Sequence, residues 1–310
     1  MNKGIVVGAV LALAGFGAGT YFARQDQPPP AATAGSAGPS YAGGFKAEGA
    51  AAEAVKAGVA SGNIKAVAGA AGEAVIVVKD GESIQAAVKR AVPGTTIQIL
   101  PGTYHETVYI DKDNVRLIGV IDQGRRAVLD GEGKLNDAIL YSGNNVVVEN
   151  LTITKYKGNG IMGQAGNNFE IRNNLIVDTG VYGIFPQLGQ NGVVEHNVVS
   201  GIEDAAIYVG MSDNVHVAHN DVFDSVAGIE IENSRHAIVE NNYVHNNTGG
   251  ILAFVTPGLP IKTTSDVIIR HNFIVGNNHD NFGAPGSTVA GIPPGTGVLI
   301  MAADDVVIEG

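Results

Sequence analysis

The stretch Val194-Glu195-His196-Asn197-Val198-Val199 decides the fold, because its pattern returns along the chain. Full copies stand at 171–176, 194–199, 217–222, 239–244 and 269–274, after a degenerate copy at 148–153 in which Leu151 replaces the asparagine. Counted on that column (151, 174, 197, 220, 242, 272), the steps are 23, 23, 23, 22 and 30 residues. A fixed period in the low twenties is typical of a solenoid, in which each repeat is one supersecondary unit.

Each period holds three very short apolar pieces separated by Gly, Asn and Asp. In one repeat these are Gly228–Ile231, Ala237–Val239 and Tyr243–Val244. Pieces of this length with β-branched residues at alternate positions are typical of strands and too short for helices. Three strands per turn predict an all-β, single-stranded parallel β-helix.

The coil motif resembles that of right-handed parallel β-helix proteins, the superfamily of pectate lyases, pectin esterases and alginate epimerases. The stretch Pro93–Glu106 also resembles the opening of pectin-esterase-like β-helices, where it is scaffold, so the resemblance gives His105 and Glu106 no chemical role. The resemblance covers roughly residues 74–310, and the chain as a whole is most similar to exported β-helix repeat proteins of unassigned activity. It does not specify a reaction, because one fold hosts many sites.

The repeated asparagine column has a structural explanation. Asparagine tolerates the left-handed conformation that a sharp turn needs, and stacked side-chain amides can hydrogen-bond from one repeat to the next. The inward column is Ile176, Val199, Val222, Val244 and Ile274. Burial of each is worth roughly 1.5–3 kcal/mol, and the repeats must stack to achieve it.

Composition excludes several classes of function. The 310 residues include 43 glycines, 6% aromatics, no cysteine and no tryptophan, with a formal net charge of −11. The acidic balance argues against a nucleic-acid partner, which requires a basic stripe. Without cysteine there are no disulfides and no thiolate metal sites.

Three segments are predicted along the chain. Residues 1–23, with an uncharged apolar run from Gly4 to Tyr21, read as a signal peptide or a retained membrane anchor, which predicts export to the periplasm or cell surface. Residues 24–73 form an Ala/Gly/Pro-rich linker. The β-helix occupies 74–310, begins with a capping helix near Asp80–Val88, and is expected to continue beyond Gly310 because a solenoid ends in a polar cap.

Function is expected on the strand that opens each repeat. Side chains alternate between the two faces of a strand, so Phe185, Tyr208 and Glu230 share one outward column, and Gln187, Glu232 and Phe254 fall in the next. Aromatic, amide and carboxyl groups on neighbouring repeats suit a groove that binds a sugar chain. The predicted substrate-binding residues are Phe185, Gln187, Tyr208 and Phe254. A solvated face with no ligand stays an open alternative.

The turns that enter this face are acidic, with Asp178, Glu203, Asp204 and Asp224 at successive positions. Such a cluster supports three interpretations: solvated surface charge, a calcium site built from oxygen ligands, or a carboxyl group with a raised pKa that acts as general acid or base. The candidate catalytic residues are Glu230, Glu232 and Asp204. No transition-metal site is predicted, although His279 and Asp280 lie together in a loop at 276–295 that is expected to fold over Glu230 and Phe254.

The catalytic phrases of the resembled enzymes are missing, including the Asp-Pro-Glu-Gly-Phe-Asp run of alginate epimerases. The favoured hypothesis is therefore a non-catalytic, membrane-tethered scaffold that binds carbohydrate or a periplasmic protein partner. The alternative is a lyase, epimerase or glycosidase that acts on an acidic glycan. In that case Arg235 and His236, in the turn after Glu232, are the nearest candidates for a lyase base.

Overall fold

The computed structural model describes residues 74–310, which form a solenoid of three parallel sheets. The predicted signal or anchor (1–23) and the linker (24–73) lie outside the described residues. Within the described part, no helix is both long enough and apolar enough to cross a membrane.

The chain visits the three sheets in turn, so spatial neighbours within a sheet come from successive repeats. Sheet A has ten strands: β1 (Val75–Val78), β2 (Thr96–Ile99), β5 (Arg116–Gly119), β8 (Val147–Glu149), β11 (Glu170–Arg172), β14 (Gln190–Glu195), β17 (Asp213–Ala218), β20 (Ile238–Glu240), β23 (Ser265–Arg270) and β26 (Asp304–Glu309). Sheet B has eight: β3 (Gly102–Tyr104), β6 (Ala127–Asp130), β9 (Leu151–Thr154), β12 (Leu175–Val177), β15 (Val198–Ser200), β18 (Asp221–Phe223), β21 (Tyr243–His245) and β24 (Phe273–Val275). Sheet C has eight: β4 (Val108–Ile110), β7 (Ile139–Tyr141), β10 (Ile161–Gly163), β13 (Tyr182–Phe185), β16 (Ala205–Gly210), β19 (Ala227–Glu232), β22 (Gly249–Phe254) and β25 (Thr296–Met301).

The core is a stack of thin aliphatic layers, as the predicted inward column requires. Ile176, Val199, Val222 and Val244 are each 0% exposed. Ile274 is partly buried, because β24 is the edge strand of sheet B. The parallel β-helix prediction is therefore confirmed, and each apolar layer is buried only because the next repeat covers it.

The predicted asparagine ladder is present, but the left-handed residue is not the ladder asparagine. The side-chain oxygen of Asn220 accepts from the backbone N and Nδ2 of Asn197, each at 3.0 Å, and the same pattern runs from Asn174 to Asn272. Positive φ falls one place earlier, at 55° for His196 and 56° for His219. The ladder residue holds the repeats together, and the residue before it makes the turn.

The capping helix α1 (Ile84–Arg90) covers the first layers, and buries Ile84, Ala87 and Val88. The Glu106 carboxylate accepts from the backbone N of Ile84 and of Gln85, at 2.7 and 3.0 Å, at the N-terminal end of the helix. The Lys112 ammonium donates to the carbonyls of Val88, Lys89 and Ala91 at the other end. Both ends of this short helix are therefore satisfied by charged side chains of the solenoid, which confirms the predicted cap.

Candidate functional site

The register of sheet C brings the predicted site residues together on its outer face. Tyr208, Glu230 and Leu252 are direct partners on β16, β19 and β22. Gly210, Glu232 and Phe254 form the next column, and Gln187 joins it through a bridge to Gly210. The two columns are those predicted from side-chain alternation.

Three aromatic rings pack beside the carboxyl groups. The centroid of the Tyr208 ring lies 4.5 Å from that of Phe185 and 4.6 Å from that of Tyr182. Gly210 leaves room for this packing, since a Cβ there would lie 3.0 Å from both rings of Phe185 and Tyr208. In this arrangement the Tyr208 hydroxyl donates a hydrogen bond to the Glu232 carboxyl group.

The loop 276–295 covers this face, as the sequence predicts. It contains a 3-10 helix (Thr288–Gly291), and its Val289 and Ile292 are 3% and 5% exposed, in one apolar cluster with Leu252 and Phe254. The Asn281 side chain holds the two anchors in place by donating to the carbonyls of Val289 and Ile292, at 2.8 and 2.9 Å. Ile292 packs directly on Gly249, where a Cβ would lie 2.8 Å from its Cγ2.

This cover changes the character of the face. The sequence predicts an open groove, whereas Phe185, Gln187, Tyr208 and Phe254 are all buried. Part of the reason is tertiary, because an insertion between β24 and β25 brings Val289 and Ile292 into one apolar cluster with Phe185, Tyr208 and Phe254. That these residues bind a sugar stays a prediction, and a ligand must displace the loop or enter beneath it.

Glu230 is the most deeply buried of the three carboxyl groups. It is 2% exposed, and its Oε1 has no hydrogen-bond partner. Burial, and then the nearby Asp204 carboxyl group, raise the pKa of Glu230 well above its ordinary value. This environment favours the protonated form of Glu230, which is the form that a general acid needs.

Asp204 and Glu232 form the second part of the site. Burial, and then the charge of Glu232, raise the pKa of Asp204 to about 7. Burial also raises the pKa of Glu232, although a hydrogen bond with the Thr256 side chain opposes that rise. The three carboxyl groups lie in different environments, which set their pKa values apart. A difference in pKa is what allows one carboxyl group to donate a proton while another accepts one.

The other acidic residues of the predicted cluster do not join the site. Asp178, Glu203 and Asp224 are exposed in the turns between sheets B and C. The His279 Nε2 lies 3.7 Å from the Asp224 carboxylate, on the flank of the covering loop. Asp204 is thus the member of the acidic cluster whose charge raises the pKa of a sheet C carboxyl group, that of Glu230.

Arg235 and His236 lie apart from the carboxyl groups of sheet C. The Arg235 guanidinium and the His236 ring contact the Asp213 carboxylate at 2.8 and 2.7 Å. Across residues 74–310, no group of three or more His, Asp or Glu side chains is arranged to hold a metal ion. The calcium interpretation of the acidic turns therefore has no matching donor set in this part of the chain.

Sequence reasoning missed four residues of the site: Tyr182, Thr256, Val289 and Ile292. Tyr182 lies only two residues before Ile184, where the sequence predicts the opening strand to begin. In the structure β13 starts at Tyr182, which pairs with Ala205. Thr256 and the two loop residues lie in insertions with no repeat to align, so only the tertiary structure places them.

Comparison with known proteins agrees with the fold. The family model described as the right-handed beta helix region matches residues 133–259, which confirms the predicted handedness. No protein of curated function matches the chain in sequence.

Solved structures of carbohydrate-active β-helix enzymes are similar in fold. The catalytic domain of Agl-KA has a TM-score of 0.52 and 14% identity, over 78% of this chain and 54% of its own. The DFA-IIIase of Arthrobacter chlorophenolicus A6 has a TM-score of 0.44 and 17% identity, over 63% of this chain and 67% of its own. The family 28 exopolygalacturonase of Yersinia enterocolitica has a TM-score of 0.46 and 10% identity, over 76% and 66%. The chain thus spans about half to two thirds of these relatives, and the likeness concerns the fold alone.

Proposed function

We propose that this right-handed β-helix protein is a carbohydrate-active enzyme that cleaves a glycosidic bond by general acid–base chemistry on the outer face of sheet C. The observation that carries the proposal is the group formed by the buried Glu230 and Glu232 and the half-buried Asp204, whose pKa values are all raised. An unneutralised buried carboxyl group costs stability, so several of them in one place point to a functional site.

The environments assign roles to the carboxyl groups. Glu230 keeps its proton and donates it to the oxygen of the leaving sugar as the C–O bond breaks. A second carboxyl group, Asp204 or Glu232, accepts a proton from the water that attacks the sugar carbon. One water molecule is consumed, and each product carries one new hydroxyl group.

Tyr208 positions one of these groups. Its hydroxyl hydrogen bond fixes the orientation of the Glu232 carboxyl group, and Tyr182 and Phe185 hold its ring from the other side. Groups held by packing and hydrogen bonds need little rearrangement when a substrate binds. The loop 276–295 excludes water from the face, which strengthens the electrostatic interactions there.

A non-catalytic scaffold is the second candidate, and one observation favours it. Every predicted binding residue of this face is buried, and Phe185, Tyr208 and Phe254 share one apolar cluster with the loop residues Val289 and Ile292, as expected if the cluster only attaches the loop to sheet C. In that case the glycan or protein partner would bind another surface of the solenoid.

The deciding experiment incubates the full chain with a panel of neutral and uronic-acid polysaccharides and measures the release of reducing ends. We expect Glu230→Gln to lower turnover at least about 100-fold, because general acid–base catalysis contributes roughly 10²–10⁴-fold. The control is Glu195→Gln, which changes a carboxylate beside Arg172 on sheet A and should leave turnover unchanged. Binding without any product would favour the scaffold, whereas equal turnover by Glu230→Gln would overturn the acid–base role given to this face.

A further inference from the structure

Two buried oxygen atoms on the outer face of sheet C have no hydrogen-bond partner. They are Oε1 of Glu230 and Oε1 of Gln187, on side chains that are 2% and 5% exposed. Gln187 shares its column with Glu232 across Gly210, so the two unpartnered atoms belong to adjacent columns of one face. Leaving such an acceptor unsatisfied costs about 1–3 kcal/mol, which a ligand that donates hydrogen bonds would recover.

The polar chemistry of this face suits a donor. A sugar hydroxyl donates and accepts, whereas an ionised carboxylate only accepts. The Gln187 oxygen only accepts, so it matches a hydroxyl group and not the carboxylate of a uronic acid. A protonated Glu230 both donates and accepts, as a sugar hydroxyl does.

The charge of the face leads to the same conclusion. Burial and other carboxyl groups raise the pKa values of Asp204 and Glu230, and no arginine or lysine contributes. The ion pairs within residues 74–310 involve none of the three carboxyl groups. A polyanion would lie beside Asp204 and Glu232 with no cation to neutralise it, and its charge would raise their pKa values further.

An open cleft of about 440 Å³ adjoins the turn that holds Asp204, and it has no excess of positive charge. Its charged lining consists of Lys155, Lys157, Asp178 and Glu203, two basic and two acidic residues. Lys155 is itself paired with Asp130 at 3.3 Å. The volume lies within the usual range of small-ligand sites, roughly 300–1,000 Å³, but the lining does not select an anion.

We infer that the substrate of this site is a neutral, hydroxyl-rich carbohydrate and not a uronic-acid polymer. The inference rests on the proposed function and names its substrate class. It departs from the acidic glycan that the sequence suggests, because the fold resemblance says nothing about the charge of the site.

The test compares polymers that differ only in charge. Polygalacturonate and alginate are each used beside their carboxyl-reduced derivatives, which keep the linkages but lack the anions, together with neutral glucans and fructans. Retention of the full chain on each immobilised polymer is measured, with product release in parallel. We expect retention on at least one neutral polymer, and at least about tenfold weaker affinity for the polyuronate of any matched pair that binds, equal to about 1.4 kcal/mol.

A substitution connects the result to the site. Gln187→Leu keeps a side chain of similar volume but removes the acceptor oxygen. It should weaken binding of the retained neutral polymer about tenfold, equal to about 1.4 kcal/mol. Gln98→Leu, on β2 of sheet A, is the control and should bind like the wild type. Unchanged binding by Gln187→Leu would overturn the inference.

The failures are distinguishable. Cleavage of a polyuronate that Glu230→Gln abolishes would overturn the substrate class and leave the acid–base function standing. Retention on neutral polymers without product would overturn the catalytic function and leave the ligand class standing. Retention on polyuronates alone, or on no polymer, would overturn the inference of a neutral ligand.

Discussion

Glu230 and Glu232 lie on β19 of sheet C, and Asp204 lies in the turn before the neighbouring strand β16, where burial disfavours an ionised carboxylate. Removal of a charge from water is costly unless it is paired, and the Tyr208 hydroxyl and the Thr256 side chain offer only neutral hydrogen bonds. The protein therefore holds protons that the unfolded chain would release. This excess makes stability depend on pH at the scale of single residues.

We expect the free energy of unfolding to fall as the pH rises from about 4 to about 7. The pKa of Asp204 is about 7 in the folded protein against an ordinary value of 3.8, so unfolding releases a proton throughout this interval. The unfolded state then binds fewer protons, and stability declines with pH. Calorimetric melting temperatures at a series of pH values measure the effect, and Asp204→Asn should flatten the decline.

Glu240 is the matched comparison for Asp204, because its pKa is lowered where that of Asp204 is raised. The hydrogen bond from Arg270 holds the pKa of Glu240 below its ordinary value, so Glu240 stabilises the fold at neutral pH and loses this effect in acid. Glu240→Gln should lower stability at neutral pH and leave the decline from about pH 4 to 7 in place. A decline that persists unchanged in Asp204→Asn would contradict the buried-carboxyl explanation.

At the scale of elements, the loop 276–295 and the strands of sheet C are stabilised in different ways. The strands are buried on the inner side by the solenoid, as Ile251 at 0% exposure illustrates. The loop is attached to the outer side by two apolar anchors, Val289 and Ile292, and by the Asn281 hydrogen bonds. Its base continues the ladder of the repeats, since Asn277 accepts from the backbone N of Asn247 at 3.0 Å. We therefore expect the loop to open at a lower free-energy cost than unfolding of the solenoid.

Ile292→Ala should loosen the loop while the solenoid stays folded. Amide hydrogen exchange of residues 278–294 should become faster, and the melting temperature should change little, because the lost contacts attach one insertion. Ile251→Ala makes the same chemical change inside the core and should destabilise the whole protein by about 2–5 kcal/mol. Equal effects of the two substitutions on the melting temperature would show that loop and solenoid unfold together.

At the scale of the whole molecule, stability comes from contacts between successive repeats. The apolar layers are covered only by their neighbours, and from Asn174 to Asn272 the asparagine ladder crosses each boundary with two hydrogen bonds to one side-chain oxygen. A solenoid of this kind is described by interface energies between neighbours. A defect in one interface should therefore weaken the array on both sides of it.

Asn220→Ala tests this coupling. It removes the acceptor of Asn197 and the donors to Val194 and Asn242, all of them buried, and should destabilise the protein by about 3 kcal/mol. The control is Asn214→Ala, at an exposed position of β17 with φ of 54°, which loses a single side-chain bond to Asn191 and should cost about 1 kcal/mol. Urea unfolding followed by circular dichroism measures both, and equal losses would argue against the ladder as the main polar link between repeats.

The sequence by itself determined the features that repeat. The steps of 23 residues placed the ladder of Asn174, Asn197 and Asn220, and strand alternation placed Tyr208 beside Glu230, because period and alternation are local properties that hold in every turn. Only the tertiary structure decided that this face is closed, that Tyr208 meets Glu232 across Gly210, and that Ile292 covers Gly249. Those contacts come from an insertion without a repeat and from the reach of single side chains, and neither leaves a period that can be read along the chain.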